Sequence, residues 1–403
     1  MSRSGFIDPS LYSLLPQEET LEVQNKKGSL FIGIPKETCL QEKRIGLSPE
    51  AVAVLTAEGH EVRVESGAGE GARYSDHDYS EAGAIIEYGP DKVFEADILL
   101  KVEPPSEEEI RRMKPKQTLI SALQLKMRNK AYFEELSKKK ITALSYEGIQ
   151  DEEGVIPIVR SMSEIAGSTA VLIAAQFLSN LNEGSGYLLG GVSGVPPTTV
   201  VILGAGTVGT FAARTALGLG AQIIVFDVSI ARLRRLQDQV NAPINTCVVQ
   251  SKYLTEALKN CDVAIGAVRS ESGRTPCLVS ESMVEMMKEG AVIVDVSIDQ
   301  GGAFETSELT NHDHPTFKKH GVVHYCVPNI PSRVSRTASA SLSNVLAPLL
   351  SEMGALGGLD EVLHRKKGVR SGLYMYNGVL TSKVLGEYYG LSYSEAELFF
   401  RGA

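Results

Sequence analysis

The chain has no tryptophan and only five cysteines in 403 residues. Cys39, Cys247, Cys261, Cys277 and Cys326 are scattered, odd in number and never spaced C-x-x-C. That pattern argues against zinc and dithiol motifs and for free thiols in a cytoplasmic protein. Positive charge is also short. The formal net charge is −9, which argues against nucleic acid as a partner. No long apolar core follows the charges of MSRSGFIDPSLYSLLPQEET, so no signal peptide is expected. No transmembrane helix is expected either, because the most apolar region has the period and turns of a βαβ unit. His312, His314, His320 and His324 lie near one another, yet they show no tetrahedral ligand set. No metal is expected, and the segment 311–320 reads as a polar loop.

What the chain has in quantity is glycine, 38 residues, which suits a turn-rich α/β protein. The key stretch is VVILGAGTVGTFAARTALGLGAQIIVFD, from Val200 to Asp227. An apolar strand leads into Gly204-Ala205-Gly206-Thr207-Val208-Gly209, then a helix, then a second strand closed by Asp227. Gly204 permits the tight turn, Gly206 lets backbone N–H groups reach a pyrophosphate, and Gly209 lets helix and strand pack closely. The pyrophosphate would sit at the positive end of the helix. Asp227 stands at the ~20-residue spacing expected for the acid that holds ribose hydroxyls. These features predict a nicotinamide or flavin dinucleotide site. A carboxylate at that position accepts a 2′-hydroxyl and repels a 2′-phosphate, so NAD is favoured over NADP. Arg232, Arg234 and Arg235 read as a solvated helix face, with Arg232 also able to pair with Asp227 or cover the adenine side.

Short apolar runs alternate with amphipathic stretches, which argues for parallel sheets. Strands are predicted at 30–34, 61–65, 97–102, 118–123, 141–146, 263–265, 291–296 and 322–327. A helix is predicted from Pro49, with Ser48 as its N-cap. Ser161-Met162-Ser163-Glu164 fits a capping box ahead of a long apolar helix, 164–181. A helical run over 340–350 leads to a helical tail. The fold class read from this pattern is α/β with two Rossmann-like domains. The dinucleotide domain, 160–335, is inserted in a discontinuous substrate domain, 29–159 and 336–403. Residues 1–28 read as an extension, a candidate arm on a neighbouring subunit.

Ligands collect at the carboxyl ends of strands in such sheets. Lys101, Gln124, Asp299 and Asn329 stand at or near such ends, and Arg44 follows the first strand. A lysine emerging behind three apolar residues needs a partner, which an anionic substrate would supply. Arg44 is suited to grip a carboxylate with two hydrogen bonds. Together they point to a small carboxylate substrate. Asp299 has two readings, a group that orients ligand and a turn cap.

Several longer motifs carry a family resemblance. They include Gly33-Ile34-Pro35-Lys36-Glu37, Arg44-Ile45-Gly46-Leu47-Ser48-Pro49, Leu100-Lys101-Val102, Met162-Ser163-Glu164-Ile165-Ala166-Gly167 and Asp295-Val296-Ser297-Ile298-Asp299-Gln300-Gly301-Gly302. With the glycine turn they resemble alanine dehydrogenases and the related nucleotide-binding subunit of proton-translocating transhydrogenase. The resemblance implies reversible oxidative deamination of L-alanine to pyruvate and ammonium, with NAD as cofactor and commonly a homohexamer. It implies that Arg44 and Lys101 bind the substrate carboxylate and carbonyl oxygen, and that Asp299 assists catalysis. It also implies that Ser163, the Gly204–Gly209 turn, Asp227, Arg232, Val268, Asp299 and Asn329 surround NAD. The chain departs from the family at Gln124, where alanine dehydrogenases carry a catalytic histidine. Glutamine hydrogen-bonds but takes no proton near pH 7. Either Lys101 or Asp299 covers that role with Gln124 only positioning, or the protein does something else. It would then be a soluble transhydrogenase-like nucleotide-binding protein or a catalytically weakened NAD sensor.

Overall fold

The computed structural model describes residues 28–39, 41–124, 128–269 and 275–400. The extension expected over 1–28 lies outside the described residues except for Gly28, whose N–H reaches Gly354 O at 3.0 Å.

Six strands come first: β1 (Phe31–Ile34), β2 (Glu61–Glu65), β3 (Ile85–Glu87), β4 (Ile98–Leu100), β5 (Thr118–Ser121) and β6 (Thr142–Ser145). Seven follow: β7 (Thr199–Leu203), β8 (Gln222–Asp227), β9 (Asn245–Val248), β10 (Val263–Gly266), β11 (Val292–Asp295), β12 (Thr316–Lys319) and β13 (Val322–Tyr325). Two more, β14 (Leu373–Tyr376) and β15 (Val379–Leu380), come near the C-terminal end.

They form two sheets, ordered β15-β14-β6-β5-β4-β1-β2-β3 and β12-β13-β11-β10-β7-β8-β9. The first six strands pair in parallel, as do β7 to β11 and β13. Strands such as β4, β7 and β10 are buried almost throughout, because helices cover both faces of a parallel sheet and demand continuous apolar runs. The parallel part of each sheet follows the doubly wound 3-2-1-4-5-6 order, so the chain folds as two Rossmann-like domains. In each, the order reverses beside the first strand, and a ligand crevice opens there at the carboxyl ends. One reversal lies between β1 and β4, the other between β7 and β10.

Two long helices join the units. Pro157–Phe177 leaves the first sheet, with Ile158 in the first core and Ala166, Ala170, Ile173 and Ala174 in the second. Ser335–Leu356 returns the chain, burying Leu342, Leu346 and Leu350 in the first core.

The outgoing helix corrects the predicted capping box. It begins at Pro157, so Ser161 to Glu164 already lie within it. Pro157 at the first helical position is pre-set for a start there. Ser163 Oγ instead donates to Val159 O at 2.7 Å, and Glu164 pairs with Arg160. By length and composition this helix could cross a membrane. Its apolar face packs on the helix Thr207–Gly218, as a core helix does.

The tail is also corrected. Residues 373–380 form a hairpin, and β14 pairs antiparallel with β6. Asn377 (φ 48°) and Gly378 (φ 81°) make its turn, a strong hairpin signal in the sequence. The loop expected over 311–320 contains β12, the antiparallel edge of the second sheet. Two of the four nearby histidines have separate partners: His324 is buried on Thr306 and stacks on Phe317, and His320 faces Glu281.

Candidate active site

The glycine turn sits where expected, between β7 and the helix Thr207–Gly218. Gly204 has φ 108°, and a Cβ there would stand 2.4 Å from Ala267 O. A Cβ on Gly209 would stand 1.8 Å from Gly204 O, so no larger residue fits without moving the turn. A Cβ on Gly206, by contrast, would touch nothing within 4 Å. The helix beginning at Thr207 and Val208 has no side-chain cap, so its first N–H groups remain for an anion. A dinucleotide pyrophosphate fits this cradle.

Asp227, buried at the end of β8, accepts from Ala205 N (2.7 Å) through Oδ2 and from Ser229 N (2.8 Å) through Oδ1. It therefore fixes the glycine turn and the start of the next helix. Each carboxylate oxygen keeps a further acceptor site for a ribose hydroxyl. Val268 follows β10 across the order reversal, and its N–H donates to Ser297 Oγ at 3.0 Å. Asp299 is exposed in a single short turn, Ile298–Gln300, after β11. Arg232 is exposed in the first turn of the helix Ile230–Val240.

The second cluster lies at the reversal of the other sheet, built from the segments after β1, β4 and β5. Arg44 is its centre. Its Nε meets Glu42 Oε1 at 2.8 Å and its Nη2 meets Glu42 Oε2 at 2.6 Å. Nη2 also faces Glu103 Oε1 at 3.4 Å, while Nη1 has, among the described residues, only the weak acceptor Met162 Sδ at 3.6 Å. Glu103 Oε2 accepts from Gln124 Nε2. Gln124 is held at φ 45°, with its backbone N–H on Glu147. From the dinucleotide domain, Asn329 (φ 58°) follows β13 and donates Nδ2 to Glu42 Oε2 at 2.8 Å. The carboxyl ends of both sheets thus meet at Glu42.

The electrostatics are unusual for so small a volume. Burial raises the Glu42 carboxyl, but the Arg44 charge and hydrogen bonds outweigh it and hold Glu42 at about 2. Glu103 moves the other way. Burial, followed by the hydrogen bond and charge of Glu42, pushes it up to about 8, against a smaller opposing pull from Arg44.

Lys101 corrects an expectation. A substrate anion was expected as its partner, but two carboxylates already hold it: Glu37 Oε2 at 3.0 Å and Glu109 Oε1 at 2.9 Å. An ammonium only 1% exposed requires such neutralisation. Glu37 also accepts from the N–H groups of Val102 and Glu103, tying the Lys101 pair to the Arg44 cluster.

Comparison with known proteins decides the family. The alanine dehydrogenase/PNT N-terminal domain matches residues 33–166, and the C-terminal domain of the same family matches residues 170–383. The chain belongs to the alanine dehydrogenase/PNT family. It is 41% identical over 367 residues to the alanine dehydrogenase of Staphylococcus haemolyticus, covering 91% of this chain and 98% of that one. It is 41% identical over 371 residues to that of Mycolicibacterium smegmatis, covering 92% and 100%. A solved L-alanine dehydrogenase superposes with a TM-score of 0.84 at 38% identity, covering 89% of this chain and 99% of that one. A transhydrogenase from Sinorhizobium meliloti gives 0.75 at 25%, covering 88% and 99%.

In this member of the alanine dehydrogenase/PNT family, Arg44, Gln124 and Asn329 are gathered through two carboxylates, whereas Lys101 faces its own pair. Glu37, Glu42, Glu103 and Glu109 are the residues that sequence reasoning missed.

Proposed function

We propose that the protein catalyses the reversible, NAD-dependent oxidative deamination of L-alanine to pyruvate and ammonium. The observation that carries this reading is the Arg44 cluster, placed where the crevices of two Rossmann-like domains meet. When bound, the nicotinamide ring accepts a hydride from the substrate Cα. The chain's own residues do the rest. Arg44, through its Nη1 edge, holds the substrate carboxylate. The surrounding carboxylates favour the substrate ammonium. Gln124 positions, Asp299 assists from the dinucleotide side, and Lys101, enclosed by Glu37 and Glu109, steadies the segment beside Arg44. Asp227 accepts the adenosine ribose hydroxyls, which supports NAD. The test is NADH formation from NAD and L-alanine by the wild-type protein. Amino-acid-dependent turnover with pyruvate and ammonium as products is expected, and its absence would refute the reading.

We also infer a homo-oligomer, a hexamer by family resemblance. The segment 181–195 exposes Leu181, Tyr187, Leu188, Val192 and Val195, with Leu181 at 91% and Leu188 at 67%. Large exposed apolar side chains gathered in one segment suit a protein interface, and the occupant proposed is the same segment of another copy. Leu188→Glu together with Val192→Glu is expected to shift sedimentation from the oligomer to smaller species. A wild type that sediments as a monomer would overturn the inference.

A further inference from the structure

Most charged groups of the Arg44 cluster are already committed. Glu42 is kept ionised by Arg44. Lys101 is enclosed by Glu37 and Glu109. Gln124 carries no titrating group. Glu103 is different. It is 5% exposed, lies between Arg44 and Gln124, and shares Arg44 Nη2 with Glu42, at 3.4 Å against 2.6 Å. Two buried carboxyls crowded on one guanidinium favour the state in which one of them carries a proton. Arg44 holds Glu42 as the acceptor, so the proton belongs to Glu103.

We propose that Glu103 is the catalytic proton-transfer residue of this active site, taking a proton from the attacking water and returning one to the departing nitrogen. The proposal rests on the alanine deamination reading and names the group that reading left open. After oxidation at Cα the substrate is an iminium. The water oxygen bonds to that carbon, its proton passes to the Glu103 carboxylate, and a neutral carbinolamine forms. Glu103 then protonates the nitrogen. As the C–N bond breaks, Glu103 takes the hydroxyl proton and the C=O of pyruvate forms. The ammonia leaves with that proton as ammonium, and Glu103 is again a carboxylate. One iminium and one water yield one ketone and one ammonium.

The surroundings suit a group that both takes and gives a proton. Glu37, Cys39, Glu42 and Arg44 face Glu103 from the segment after β1, Gln124 from after β5 and Tyr146 from after β6. Burial and the Glu42 carboxylate favour the protonated form, while Arg44 favours the ionised one. A carboxyl balanced in this way titrates in the range where acid–base catalysis is effective.

The experiment compares wild type, E103Q and E103D in NADH formation from NAD and L-alanine, with kcat and KM measured across pH. In the wild type, kcat for deamination is expected to rise with pH as Glu103 ionises. E103Q is expected to lose ~10²–10⁴-fold in kcat, to change KM for alanine far less, and to lose the ascending limb. E103D keeps a titrating carboxyl and is expected to keep the limb, with a moved break and an intermediate kcat. A working wild type with an E103Q that retains its kcat overturns the proposal while leaving the alanine reading intact. So does an E103Q that loses rate but keeps the same limb, because that marks a structural role. A wild type that forms no NADH overturns the alanine reading and Glu103's role together.

Discussion

Arg44→Lys is expected to lower kcat/KM for L-alanine by about 30- to 5,000-fold, the equivalent of losing a buried hydrogen-bonded charge pair. The charge is kept, so the loss comes from geometry. The guanidinium holds Glu42 along one edge with contacts of 2.6 and 2.8 Å and, among the described residues, leaves Nη1 with a sulfur alone. The N–H groups of Nη1 are the donors left for a substrate carboxylate. An ammonium is a point charge and cannot face Glu42 and a substrate with two separate edges. The effect should fall mainly on kcat/KM, and NADH binding should be nearly unchanged, because the glycine turn and Asp227 lie in the other domain. Steady-state kinetics with a parallel NADH titration check this. A variant within threefold of wild type would show that Arg44 does not hold the substrate.

Lys101→Met is expected to destabilise the fold by roughly 3–5 kcal/mol at neutral pH, the usual cost of breaking a buried ion pair by removing one partner. The ammonium is 1% exposed and lies between Glu37 and Glu109. Without it two buried carboxyls are left without their cation. Burial already raises Glu37 even with Lys101 present, and losing the cation raises it further. A carboxyl whose pKa is raised by folding binds more protons in the native than in the unfolded state. Stability then falls as pH rises from the ordinary carboxyl range to the raised value. The deficit of the variant should therefore be small near pH 4 and grow towards pH 8. Urea unfolding at the two pH values measures it. An equal deficit at both would mean that packing, and not charge, is what Lys101 contributes.

The sites that the sequence revealed are those where residue type and position disagree with their surroundings. A glycine at Gly204 and at Gly209 between two apolar strands has a backbone reason, and the φ of 108° at the first and the 1.8 Å approach at the second supply it. Lys101 behind three apolar residues stood out for the same reason. The carboxylates did not. Glu37, Glu42 and Glu103 belong to a chain with 22% charged residues, and nothing local separates a buried carboxylate from a solvated one. Their meaning arises only when β1, β4 and β5 lie side by side, which is a non-local fact. The hairpin at 373–380 was hidden similarly. It completes a sheet whose partner strand β6 lies more than two hundred residues earlier, although Asn377-Gly378 marked its turn. The capping box misled because a local pattern was read without Pro157, which starts the helix about two turns sooner.

The most direct test of the account is to mix the wild-type protein with NAD and L-alanine at alkaline pH and follow NADH absorbance. The account predicts steady NADH formation that depends on L-alanine, with pyruvate and ammonium produced in equal amounts, despite glutamine at position 124. NADH bound tightly but never formed from alanine would contradict it and make this protein a nucleotide binder without the dehydrogenase reaction.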